Sequence, residues 1–215
     1  MAFNGPGFVD HHTHLLRVSA QIKPPYNFRD PDSIAAYHRS LQSSGSDPMA
    51  SIGDPVDERL DAQLMAGLTQ AAEFGICQIT EAGMHDWEYL DALLRRRETD
   101  RLPCRVRILV ASGLAGEGMR DRTGDTDVEI EGVKFYADGW VGPRTCALCA
   151  PFDDAHPKDD GVLFWDPLQL ARAGAPLAEA GWTIATHAIG DRAVIAVLDA
   201  YEMIFDGDNE AALAN

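Results

Sequence analysis

Three short stretches of this sequence carry residues that could do metal chemistry. The first is Gly7-Phe8-Val9-Asp10-His11-His12-Thr13-His14. Phe8 and Val9 begin a predicted strand, along which alternate residues share a face. Asp10, His12 and His14 then point one way, and Val9, His11 and Thr13 the other. Two imidazoles on one face can grip one metal ion from the same side, and neutral imidazole suits zinc, iron, copper or nickel. The alternative for a bare His-x-His is a surface histidine cluster. His187 closes the second run, Thr183-Ile184-Ala185-Thr186-His187. Lys134 lies inside the third, Val133-Lys134-Phe135-Tyr136-Ala137. A lysine in an apolar strand is costly if charged and unpaired, and it loses its proton readily when buried. The neutral amine can add carbon dioxide and become an anionic carbamate, a carboxylate on a long arm able to bridge two cations. The other reading pairs Lys134 with Glu81 or Asp138, and the residues alone leave both open.

Regular elements must bring these residues to one place. Strands are predicted from Phe8 and over Ile76–Thr80, Cys104–Val110, Gly132–Ala137 and Trp182–His187. The helix predicted over Asp57–Phe74 has Leu60, Leu64, Leu68, Ala71 and Ala72 on one stripe, with Gly75 as its C-cap. A second runs from Asp86 to Arg97 with Leu90, Leu93 and Leu94 as its apolar side. Its basic last turn, Arg95-Arg96-Arg97, complements the helix dipole. A third pattern, Pro167–Ala180, should break or kink at Gly174 and Pro176. The last helix, Asp191 to about Phe205, is apolar at Val194, Ile195, Leu198 and Ile204, and Asp191 is expected to cap it. Between these lie a loop at 81–85, a Gly-rich polar stretch at 111–127, and long loops at about 15–55 and 138–160. A short helix is expected near Asp32 to Ser40. Strands alternating with helices argue for a parallel sheet in an α/β fold, with one domain over 1–215. In such folds chemistry collects at the carboxyl ends of strands, where His12, His14 and His187 fall. Three histidines at one rim favour a metal site.

Composition bounds the partners. The chain has 215 residues, 46% hydrophobic and 24% charged, enough for one sizeable core. Its net charge of −16 repels nucleic acid and anionic membranes, so neither is expected as a partner. No stretch has the length of a membrane span, and the N-terminus lacks signal-peptide character. Cys77, Cys104, Cys146 and Cys149 form no disulfide-dense framework, which suits a reducing cytoplasm. Cys146 and Cys149 make a lone C-x-x-C, a weak zinc or redox signal that reads as two ordinary thiols.

The motifs together resemble the amidohydrolase superfamily, and within it amidohydrolase family 3, which includes N-substituted formamide deformylases. Pro6-Gly7-Phe8-Val9-Asp10-His11-His12-Thr13-His14-Leu15 is similar to that family's first-strand motif. Gly132-Val133-Lys134-Phe135-Tyr136-Ala137-Asp138-Gly139, followed by Arg144-Thr145, resembles the fourth. Thr186-His187-Ala188-Ile189-Gly190-Asp191-Arg192-Ala193 resembles the fifth, and Gly75-Ile76-Cys77-Gln78-Ile79-Thr80-Glu81-Ala82-Gly83 more loosely the second. The matches keep their order from residue 6 to residue 193.

The resemblance implies a (β/α)₈ TIM-type barrel, here incomplete at about its first five βα units. It implies a metal-dependent hydrolase of amide or other non-peptide carbon–nitrogen bonds, with one or two divalent ions, zinc first among them. His12 and His14 would hold one metal, a carboxylated Lys134 would bridge, and His187 would hold the other. Lys134 and His187 would thereby be the catalytic residues of this chain. His85, Trp140 and Arg144 lie in loops that should line a pocket for a small-molecule substrate. The family pattern continues to a sixth strand with another histidine and an eighth with an aspartate. This chain is therefore expected to be a truncated form with at most four of six metal-site positions. The rival expectations are a metal-binding but inactive fragment, and a non-catalytic interaction module with the same fold. Open edges on the first and fifth strands also suggest self-association.

Overall fold

The computed structural model describes residues 7–15, 60–99, 101–116, 118–119, 127–154 and 158–205. The predicted helix near Asp32 and most of the first long loop lie outside these residues. The described elements run β1 (Phe8–Thr13), α1 (Leu60–Glu73), β2 (Ile76–Met84), α2 (Trp87–Thr99), β3 (Arg105–Ala111), a 3₁₀ turn at Ser112–Leu114, β4 (Val128–Tyr136), α3 (Pro167–Glu179), β5 (Thr183–His187) and α4 (Asp191–Ile204). The strands form one sheet in the order β1-β2-β3-β4-β5. β1 pairs with β2, and β2 with β3, in parallel. A parallel sheet laid down in strict sequence order is the order of a barrel wall. A doubly wound sheet would instead reverse at a switch point. The fold class is α/β, an incomplete TIM-type barrel. No helix among the described residues is long and apolar enough to cross a membrane.

By their contacts the described residues fall into two compact units, 7–133 and 134–205, with the division inside β4. In the first, Leu60, Leu64 and Leu68 of α1 are buried at the predicted spacing, while Ala71 and Ala72 are only half-buried. Gly75 ends that helix with φ +81°, a left-handed conformation that a side chain would strain. Asp86 opens α2 by accepting the Glu88 N–H at 2.9 Å, and Leu90 and Leu93 face inward. The loop predicted at 81–85 is instead mostly strand, since β2 runs on to Met84 and every residue from Ile79 to Met84 is buried. Glu81 and Gly83 look like turn residues in the sequence. Here Glu81 is held by hydrogen bonds, and Gly83 takes φ +133° where the β2–β3 register slips. β4 also starts earlier than predicted, at Val128.

In the second unit α3 runs unbroken through Gly174 and Pro176, against the prediction. Its start is strongly specified. Pro167 occupies the first turn, and Asp166 and Gln169 form a reciprocal capping box at 2.8 and 3.2 Å. Pro176 gives up its own N–H, but its carbonyl still accepts from Ala180 at 3.2 Å. Gly174 is a notch: a Cβ there would lie 2.8 Å from Ile204 Cδ1 of α4. The inward face of α4 is Ala193, Ala196, Val197 and Ala200, whereas the predicted apolar side chains Val194, Ile195 and Leu198 are exposed. Asp191 is the first residue of α4 rather than its cap, which is Gly190.

Gly190 also carries a stability prediction. Its φ of −72° suits any residue, so space alone matters. A Cβ there would run into the carbonyl of Ala147. Gly190→Ala is expected to cost about 1–3 kcal/mol, the usual range for overpacking a tight site. A urea titration showing an unchanged midpoint would contradict that crowding.

Candidate metal centre

β1 does not present its histidines by simple alternation. Its pairing with β2 slips by one residue between Asp10 and Thr13, which places a bulge at His11 and His12. Asp10 supports the bulge by accepting the His12 N–H at 3.0 Å, and that bond holds its carboxyl below the ordinary aspartate value. The bulge still leaves His12 and His14 side by side. Their ring centroids are 5.3 Å apart and nearly perpendicular. His12 is exposed and His14 half-buried, so the pair opens outward at the carboxyl end of β1. Behind His14 stands Glu81 of β2, 4% exposed. Its Oε1 lies 3.3 Å from His14 Nδ1, and its Oε2 accepts from Leu15 N–H at 2.7 Å and Tyr89 O–H at 3.0 Å.

In the second unit Lys134 and Tyr136, two residues apart on β4, gather with His187 of β5. Lys134 is 5% exposed, which agrees with the buried strand position predicted for it, and its Nζ lies 5.7 Å from the Tyr136 ring centroid. The His187 ring lies 5.6 Å from the same ring. His187 Nε2 donates to Gly139 O at 2.9 Å, and Asp138 Oδ1 is 3.7 Å away. Asp138 is 1% exposed and accepts three backbone N–H groups: Ile189 at 3.0 Å on Oδ1, and Gly190 at 2.7 Å and Ala147 at 2.9 Å on Oδ2. It ties the loop after β4 to the loop after β5 and so places His187.

The expected substrate-binding residues are dispersed in role. His85 follows β2 directly and is half-buried. Trp140 packs against Tyr136. Arg144 takes φ +56° in a turn closed by its N–H to Val141 O, and its guanidinium pairs with Asp154 at 2.6 Å. Cys146 is buried and Cys149 exposed, both as free thiols. Tyr89 and Tyr136 were not picked out from the sequence, and Glu81 and Asp138 were named only as partners offered for Lys134.

The donor chemistry at β1 fits a divalent ion of borderline softness: two adjacent imidazoles, one backed by a buried carboxylate. Among the described residues no three His, Cys, Asp or Glu side chains cluster as a metal-binding group.

Five strands in sequence order, with His12 and His187 on the first and fifth and a buried Lys134 on the fourth, define an α/β barrel-type sheet. The chain belongs to the amidohydrolase family, whose model ("Amidohydrolase family") matches residues 43–212. Over 75 residues it is 41% identical to "Putative amidohydrolase YtcJ" of Bacillus subtilis (strain 168), a stretch covering 35% of this chain and 14% of that protein. It is 32% identical, also over 75 residues and 35% of this chain, to 13% of "Protein LONG AFTER FAR-RED 3" of Arabidopsis thaliana. Two solved structures share the fold. An uncharacterized metal-dependent hydrolase from Pyrococcus horikoshii OT3 superposes with TM-score 0.63 at 24% identity, over 72% of this chain and 33% of that one. One from Pyrococcus furiosus gives 0.61 at 20%, over 88% and 39%. This chain thus spans well under half of either solved relative, and the curated matches cover a still smaller share of those proteins.

Proposed function

We propose that this chain supplies the metal-binding strands of a metal-dependent hydrolase that opens amide or other non-peptide carbon–nitrogen bonds of small molecules. The observation that carries the reading is the His12–His14 pair, side by side at the end of the first strand of a family-member barrel sheet. A divalent metal, zinc by preference, would supply Lewis acidity and an activated water for attack on the bond. His12 and His14 would hold one ion, Lys134 as its carbamate would bridge, and His187 would serve a second. In that role His187 releases its bond to Gly139 O or binds through its other nitrogen. Lys134 is buried in β4, and that removal of its amine from water is the observation that supports the carbamate role. His85, Trp140 and Arg144 would line the substrate pocket, with Arg144 released from Asp154. Four free thiols support a cytoplasmic setting.

The test is metal content by mass spectrometry after zinc loading and dialysis, followed by hydrolysis assays on N-substituted formamides and cyclic amides. Bound zinc that is lost in a His12→Ala, His14→Ala double variant supports the reading, and unchanged zinc rejects it. Lys134→Ala is expected to lower bound metal, with recovery on adding a short carboxylate such as propionate; retention of all metal would reject the bridge. Bound zinc without hydrolysis would favour the metal-binding but inactive reading.

A further inference from the structure

We infer that Glu81 is a positioning residue: it holds His14 as the Nδ1–H tautomer and so turns Nε2 outward as the metal-binding atom. The inference rests on the reading of His12 and His14 as ligands. Glu81 Oε2 is occupied twice, by the Leu15 N–H at 2.7 Å and the Tyr89 hydroxyl at 3.0 Å. These two donors fix the plane of the carboxylate and aim Oε1 at His14 Nδ1, 3.3 Å away. A carboxylate can only accept, so the ring nitrogen must donate. In a neutral imidazole that leaves the lone pair on Nε2.

The backbone of His14 is pinned from the other side as well. Leu15 is 1% exposed and seats against Gly67 of α1, where a Cβ would come within 2.6 Å of Leu15 Cδ1. The register sets Thr13 opposite Glu81. One buried side chain thus governs both the chain path after β1 and the orientation of its last histidine. With its oxygens serving Leu15, Tyr89 and His14, Glu81 acts through His14 rather than on the ion. Such outer partners typically contribute about 10–100-fold to metal affinity.

Glu81→Gln separates this role from a structural one. Its amide oxygen can keep the Leu15 and Tyr89 bonds, which places the NH₂ against His14 Nδ1. The tautomer should then reverse while the fold survives. In ¹⁵N-labelled, metal-free 215-residue chain, long-range ¹H–¹⁵N correlation is expected to show Nδ1–H at His14, changing to Nε2–H in Glu81→Gln. Zinc affinity, read by competition with a chromophoric chelator, is expected to fall about 10–100-fold. Tyr89→Phe should give a smaller loss with the tautomer kept. An Nε2–H tautomer in the wild type, or zinc affinity indifferent to Glu81→Gln, overturns the inference. Absence of zinc binding in the wild type, with the tautomer reversal intact, overturns the metal reading and leaves the tautomer control standing.

Discussion

Asp138→Ala is expected to remove about 3–6 kcal/mol of stability, against a whole-domain stability of about 5–15 kcal/mol. The carboxylate is 1% exposed, and the backbone N–H groups of Ala147, Ile189 and Gly190 have it as their acceptor. Alanine would strand those donors beside a new void. Each buried donor left unsatisfied costs about 1–3 kcal/mol. Asn is expected to lose less: its amide oxygen can keep the Ala147 and Gly190 bonds, but its NH₂ would face the Ile189 N–H. Two measurements check this. Urea unfolding should show the midpoint falling in the order wild type, Asn, Ala. Hydrogen exchange should quicken first at the Ala147, Ile189 and Gly190 amides. An Ala variant with wild-type midpoint and wild-type exchange at all three would show that the carboxylate is dispensable. The same substitution frees the loop after β5, so any metal role of His187 should weaken with it.

The fold was legible from the alternation of β-rich and helical runs, because that periodicity is set by local burial. Leu60, Leu64 and Leu68 form a stripe that only a helix can bury, and Gly75 marks its end. What local pattern could not convey was which partner a residue would meet. Glu81 and Gly83 look like loop residues until hydrogen bonds from Leu15 and Tyr89, 66 and 8 positions away, account for the first. Pro176 looks like a break, yet α3 continues through it to Glu179, and its carbonyl accepts from the Ala180 N–H.

Candidate site residues could be named in part for the same reason. Residue type with strand-end position picked out His12, His14 and His187, and a lysine inside an apolar strand picked out Lys134. The bulge at His11–His12 and the carboxylates of Glu81 and Asp138 are products of pairing between distant segments. Arg144 was named as a pocket residue for its place in the loop after the fourth-strand motif, and in the structure its guanidinium pairs with Asp154.

The inverted face of α4 leads to the second large effect, self-association of the 215-residue chain. A helix that buries Ala193, Ala196, Val197 and Ala200 can approach α3 closely across the Gly174 notch, because small side chains keep the axes near. The larger side chains are then left outside: Val194, Ile195 and Leu198 are 41%, 53% and 63% exposed. They lie within one turn of each other on a single face. Burying such a side chain fully contributes about 1.5–3 kcal/mol, so covering three of them against a second copy gives a sizeable driving force before the costs of association. The net charge of −16 opposes the approach of two copies, and salt screens that repulsion. Light scattering after size exclusion is therefore expected to show a concentration-dependent dimer or larger species that grows with added salt. Ile195→Gln with Leu198→Gln keeps the charge constant and removes the apolar face. It should shift the chain toward monomer while moving the melting midpoint little, since exposed substitutions usually cost within about 0.5 kcal/mol. A wild-type chain that stays monomeric at every concentration and salt, with one sharp melting transition, would show that this face is not an association surface.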